Sequence, residues 1–257
     1  MTGTVDFRRD GMVGHITLNR PEKLNAVSRE MARVLETIVA ECNEDSTIRA
    51  VVLSGAGTRA FCAGTDVSQL DQFGDEAWAF RNREDYCKSV RQIVKPVVCA
   101  INGYALGGGL EMALSCDVRL AADTARLGAP EIKLGWIGGG GMATMLCRSA
   151  GSSNAALMLM TGDPIDAITA KDWQLVSEVL PSAALLDRAG EIATIIASRA
   201  PIAAEHAKIN LANAANMPAI LATQYELDLQ AICFATRDAA EGRRAFAEKR
   251  TPRFDRR

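Results

Sequence analysis

Residues 97–121 read VVCAINGYALGGGLEMALSCDVRLA. The apolar run Val97–Ile101 is too short for a free-standing helix and is closed by Asn102-Gly103, a turn signal, so it reads as a buried strand. A glycine triplet, Gly107-Gly108-Gly109, then opens an apolar segment over about 108–115 with helical character, and Val118–Ala121 is a second short apolar run. Strand, helix and strand in immediate succession call for a parallel pair joined by a right-handed crossover.

The same alternation extends upstream. Ala50–Leu53 is another short apolar run, and a helical segment over about 75–95 separates it from Val97. Val5–Arg8 and Met12–Asn19 flank Asp10-Gly11, as in an antiparallel hairpin. Ser28 is placed to cap a helix whose residues Met31, Val34, Leu35, Ile38, Val39 and Cys42 form one apolar stripe. Beyond about residue 140 the pattern turns helical: Gly141–Arg148, Ser153–Thr161, Ala167–Trp173, Ser182–Ser198, Pro201–Ala214 and Thr223–Ala235, with Val176–Leu180 the one strand candidate there. The division expected is an α/β core over 1–195 and a helical C-terminal region over 196–257.

Composition removes several function classes. The chain has 257 residues, 48% apolar and 23% charged, with a net charge of −2. That balance suits a globular protein with a large core and provides no basic field for a nucleic-acid backbone. Residues 1–14 hold no apolar run of signal-peptide type, and no stretch of about 18 apolar residues is free of charge. The expectation is a cytoplasmic protein that does not span a membrane. The seven cysteines form no Cys-x-x-Cys pair, and His15 and His206 belong to no ligand cluster. Neither a disulfide framework nor a metal site is expected. Chemistry has to rest on carboxylates and backbone.

Glycine clusters occur at 54–57, 63–66, 107–111 and 138–141. None continues into the Gly-Lys-Ser/Thr of a phosphate-binding loop, and none has dinucleotide-fingerprint spacing. What Gly107-Gly108-Gly109 offers is bare backbone N–H groups in the first turn of a helix, unpaired and at the positive end of its dipole, where a developing oxyanion fits. The triplet equally suits tight helix–strand packing, and spacing does not separate the two readings. Glu111 sits in a strongly apolar helix and Glu131 follows Pro130 between small and apolar residues. Carboxyls so placed are candidates for general acid and base, because desolvation moves their pKa values toward neutrality. Capping, or an ion pair with Lys133 or Arg126, is the structural alternative.

Five segments together resemble the enoyl-CoA hydratase/isomerase (crotonase) family: residues 18–26 (LNRPEKLNA), 61–66 (FCAGTD), 102–111 (NGYALGGGLE), 130–135 (PEIKLG) and 246–250 (FAEKR). They follow the family's order over nearly the whole chain. The resemblance implies a core of repeated β-β-α turns, a C-terminal helical region for trimer assembly, two trimers often stacking as a hexamer, and an acyl-CoA substrate with no separate cofactor. By motif position it places two oxyanion-hole N–H groups on Thr65 and Gly108. It places coenzyme A along Lys23, Leu24, Ala26, Ala63, Asp66 and Val67, with Phe246 and Lys249 reaching it from the C-terminus, commonly of a neighbouring subunit. Without the resemblance, the basic residues after Gly242 read as a solvated surface.

Glutamate at both acid/base positions implies reversible syn hydration of a 2-enoyl-CoA, with Glu111 positioning water and Glu131 exchanging the C2 proton. Isomerisation of a 3-enoyl-CoA and a non-catalytic binding protein are the alternatives. Trp136 and Gly138 depart from the family pattern. Trp136 and Gly139 are assigned to the acyl pocket, although Trp136 could also pack outside it.

Overall fold

The computed structural model describes residues 3–70, 73–74 and 76–257. Strands β1 (Thr4–Asp10) and β2 (Val13–Asn19) form the expected antiparallel hairpin, with Gly11 at φ 55° in its turn. Helix α1 (Arg29–Glu44) is capped by Ser28, whose hydroxyl accepts from the Met31 N–H at 3.2 Å. Next come β3 (Ala50–Gly55), β4 (Ala60–Cys62), α2 (Ala77–Arg81), α3 (Tyr86–Arg91), β5 (Val97–Ile101), β6 (Tyr104–Leu106) and α4 (Gly108–Leu114). Then follow β7 (Val118–Ala122), β8 (Arg126–Gly128), α5 (Met142–Thr161), β9 (Ile165–Asp166), α6 (Ala167–Asp172) and β10 (Glu178–Leu180). Four helices close the chain: α7 (Leu185–Ala197), α8 (Pro201–Ala214), α9 (Ala219–Phe234) and α10 (Arg237–Ala247).

The strands sort into a six-stranded sheet of order β1-β2-β3-β5-β7-β10 and a four-stranded sheet of order β4-β6-β8-β9. From β2 to β10 the large sheet is parallel, as the strand–helix alternation requires. After the β1–β2 hairpin and α1, the turns from β3, β5 and β7 each send one strand to the large sheet, a short one to the small sheet and then run into helix, giving the β-β-α repeat. Both faces of the large sheet are covered, and side-chain alternation shows it. Val51, Leu53, Val97, Cys99 and Ile101 join the main core under α1, α3 and α4, whereas Ala50, Val52, Val98 and Ala100 face α7. There Leu185, Ala189, Ala193 and Ala197, four residues apart on one helix face, are fully buried.

Several readings of the sequence need correction. The single helical segment over about 75–95 is two short helices, because Asp85 caps a new start by accepting from the Cys87 and Lys88 N–H groups. The second sheet escaped notice because its strands hold two or three residues, too few to show a period. Its strand β9 is also a second strand in the region where only Val176–Leu180 was expected. Finally, α9 begins at Ala219 rather than Thr223, whereas the two helices expected at 141–148 and 153–161 are both present, joined within α5 across a non-helical break at Gly151 (φ 78°).

The C-terminal helices are tied to the core by ions. Lys95, fully buried, lies 3.3 Å from Glu205 of α8, which also pairs with Arg256, and Lys208 meets Asp117 at 2.9 Å. Removing one member of a buried pair strands the other charge. Glu205→Ala is therefore expected to lose about 3–5 kcal/mol of unfolding free energy in urea titrations, most of it recovered in Glu205→Ala/Lys95→Met. Equal losses in both variants would contradict this.

Candidate active site

A cavity of about 190 Å³ opens at the N-terminus of α4. Gly107 takes φ 56° and ψ −127°, a conformation side chains rarely tolerate, and turns the chain from β6 into the helix. A Cβ on Gly109 would strike the Cys62 carbonyl, so α4 lies directly against the loop after β4. The triplet therefore serves the tight packing that its spacing allowed, and its N–H groups stand at the cavity. Gly108 heads the helix and its N–H has no intrahelical acceptor. Across from it, the bridge between Val27 and Thr65 is made by Val27 N–H donating to Gly64 O and Asp66 N–H donating to Val27 O. That pattern skips the Thr65 N–H. Among the described residues neither N–H finds a protein acceptor.

Two carboxyls line the same cavity. Glu111, in the first turn of α4, is 6% exposed, and its Oε1 accepts from Gly140 N–H at 2.8 Å and Met142 N–H at 3.2 Å. The glycine run makes room for this: a Cβ on Gly140 would come within 2.6 Å of Glu111 Oε2. Glu131 lies on a 3-10 turn, Pro130–Leu134, and its buried Oε2 has no partner. The structural alternatives for Glu131 fail, since Lys133 pairs with Asp163 and Arg126 Nη1 donates to the Ala125 carbonyl. Burial raises both pKa values above the ordinary glutamate range, opposed at Glu111 by the two N–H groups and reinforced at Glu131 by the charge of Glu111.

Of the residues chosen from sequence, Glu111, Glu131, Thr65, Gly108, Ala63, Val67, Trp136 and Gly139 line this cavity. Half-buried Trp136 thus faces it, and its N–H donates to the Glu131 carbonyl at 3.2 Å. Lys23, Leu24, Ala26 and Asp66 do not line it. The Asp66 carboxylate instead meets Arg20 at 2.7 Å and caps Ser68, and its pKa falls chiefly through the Ser68 hydroxyl. Phe246 is 87% exposed on α10, away from the cavity, as is Lys249. Much of the C-terminal basic charge is neutralised within the chain, with Arg244 and Arg250 on Glu241 and Arg256 on Glu205. Sequence reasoning missed Tyr86 and Cys87, which line the cavity from α3 but carry no motif.

A larger cleft, about 740 Å³, separates the β1–β2 hairpin from α7. It gathers Asp6, Asp10, Asp187 and Glu191 with Arg8 and His15, and burial lowers the His15 pKa. None of the residues chosen from sequence borders it. Among the described residues no three or more His, Cys, Asp or Glu side chains are placed to hold a metal ion, and no helix is long and apolar enough to cross a membrane.

Two carboxyls with raised pKa and two open backbone N–H groups thus stand around one cavity. Comparison with known proteins names the class further. Residues 8–257 match the enoyl-CoA hydratase/isomerase family. The chain is 34% identical to the short-chain-enoyl-CoA hydratase of Clostridium acetobutylicum, over 96% of this chain and 95% of that one. It is 37% identical to the (E)-benzylidenesuccinyl-CoA hydratase of Thauera aromatica, over 94% and 95%. A crystal structure of an enoyl-CoA hydratase from Bacillus anthracis superposes with a TM-score of 0.93 at 37% identity, covering 100% of both chains. The chain belongs to the enoyl-CoA hydratase/isomerase family.

The raised pKa of Glu131 has a consequence for stability. The folded chain holds this proton more tightly than the unfolded chain, so the contribution is fully present below the ordinary glutamate range and is lost as pH rises through the folded-state value. Glu131→Gln, which cannot ionise, is expected to melt above the wild type at about pH 7, with the margin shrinking toward about pH 4. A margin independent of pH would contradict it.

Proposed function

We propose that the chain catalyses reversible syn addition of water to a 2-enoyl-CoA thioester, giving the 3-hydroxyacyl-CoA. The observation that carries this reading is the pair of glutamates on one cavity with two open N–H groups beside them. Hydration must place hydroxide character at C3, a proton at C2 and transient negative charge on the thioester oxygen. The Thr65 and Gly108 N–H groups are aimed where that charge develops. Glu111, its Oε1 fixed by two backbone N–H groups, orients the water through Oε2. Glu131, with an unpartnered oxygen, exchanges the C2 proton. Water supplies both the hydroxyl and the added hydrogen, so the two carboxyls end with the proton count they began with.

Coenzyme A runs from the cavity mouth at Ala63 and Val67 toward Lys23, Leu24, Ala26 and Asp66, and Trp136 and Gly139 bound the acyl end. Phe246, on α10, and Lys249, just beyond its end, do not line their own cavity. In this reading they serve that of a neighbouring copy in a homotrimer or a hexamer of two trimers. Leu211, Ile220, Leu227 and Phe234, all exposed on α8 and α9, are the apolar surface such an assembly would cover. A cytoplasmic place in fatty acid metabolism suits this chemistry.

One observation favours a second reading. Glu111 is already held by two N–H groups whereas Glu131 is free, as a single-carboxylate shuttle that isomerises 3-enoyl-CoA would need. Loss of enoyl-thioester absorbance with crotonyl-CoA and longer 2-enoyl-CoAs decides between them. Each of Glu111→Gln and Glu131→Gln is expected to lower kcat by about 10²–10⁴-fold, with the double variant little worse than either single one. Conversion of 3-enoyl-CoA without hydration, and near-normal activity in Glu111→Gln, would establish the isomerase instead.

A further inference from the structure

A third polar group stands at the proposed oxyanion hole. Tyr86, the first residue of α3, is 8% exposed, and its ring packs in the main core while its hydroxyl borders the cavity. Its Oη lies 3.0 Å from Thr65 Oγ1. It also touches Gly108 so closely that a Cβ built there would fall on the hydroxyl oxygen. One hydroxyl is thus wedged between the two residues that carry the open N–H groups. Cys87, next in sequence, fixes the same contact by donating its thiol to the Gly108 carbonyl at 3.4 Å.

A tyrosine hydroxyl has one proton to donate and lone pairs to accept with, and so does a threonine hydroxyl. When Thr65 Oγ1 donates to Tyr86 Oη, the phenolic proton is left for the cavity. Burial, opposed by the Thr65 bond, pushes the phenol well above its ordinary pKa, so the group keeps its proton and remains a donor.

We propose that Tyr86 Oη is a third donor to the thioester oxygen, completing a hole whose other two donors are the Thr65 and Gly108 N–H groups and held in place by the Thr65 hydroxyl. This rests on the oxyanion reading of Thr65 and Gly108 given above. It explains why residue 65 carries a hydroxyl although only its main chain is needed for the hole. It also gives Gly108 a second reason to be glycine, since any side chain there displaces Tyr86. Substitutions at Gly108 therefore disturb two donors at once, and Tyr86 has to be tested through its own hydroxyl.

Tyr86→Phe removes the oxygen and keeps the ring, and Thr65→Val removes the anchor and keeps the N–H. The probe is butyryl-CoA labelled with ¹³C at the carbonyl, which has the thioester and cannot be hydrated. Its carbonyl stretch is read by isotope-edited infrared spectroscopy on the intact protein. The wild type is expected to lower the stretch relative to free butyryl-CoA, with Tyr86→Phe returning part of that shift and Thr65→Val a smaller part. With crotonyl-CoA, kcat should fall by about 10²–10³-fold in Tyr86→Phe, the range for loss of one such donor, while KM changes little. A wild-type shift that persists in full in Tyr86→Phe, with kcat unchanged, would make Tyr86 a packing residue only. No shift in the wild type would overturn the oxyanion reading itself, and the Tyr86 assignment with it.

Discussion

The contact on which the site depends is backbone against backbone, where the first turn of α4 rests on the loop that follows β4. Gly109 meets the Cys62 carbonyl at a separation that excludes a side chain, and a Cβ on Gly64, itself at φ 93°, would lie 3.0 Å from the Gly108 nitrogen. Because β4 and β6 are neighbours in the small sheet, the two segments leave one edge together and their register fixes which N–H groups point outward. The small sheet thus sets the spacing of the Thr65 and Gly108 N–H groups.

The second constraint is electrostatic. Two carboxyls share one cavity, burial raises the pKa of each, and the charge of Glu111 adds to the effect at Glu131. The fold compensates unequally. The start of α5 supplies two N–H groups to Glu111, at the positive end of a long helix, whereas Glu131 has an oxygen with no partner. Unequal support sets two chemically identical side chains apart, one with an oxygen held by backbone N–H groups and one with an oxygen left unpartnered.

Much of this was legible in the chain. The parallel large sheet follows from apolar runs at 50–53, 97–101 and 118–121 with helices between, and the hairpin from Asp10-Gly11. Glu111 and Glu131 stand out because charge in an apolar run is costly. The small sheet was not legible, since strands such as Ile165–Asp166 are held by neighbours rather than by their own pattern. Tyr86 could not be found either. Its importance lies in contacts with Thr65 and Gly108, 21 and 22 positions away, and nothing in REDYCKSV distinguishes it from a core aromatic. Asp66, which does belong to a recognisable motif, spends its carboxylate on Arg20 and Ser68. Motif position locates the segment, while the side chain's task depends on which way the backbone turns it.

Two carboxyls acting from one side of the substrate require the hydrogen and the hydroxyl to arrive on the same face. Crotonyl-CoA converted in D₂O, with the 3-hydroxybutyryl product examined by NMR, reports this directly. The paired-glutamate site predicts a single C2 diastereomer, with deuterium syn to the new hydroxyl. Anti addition, or equal deuterium in both C2 positions after a single turnover, would contradict it.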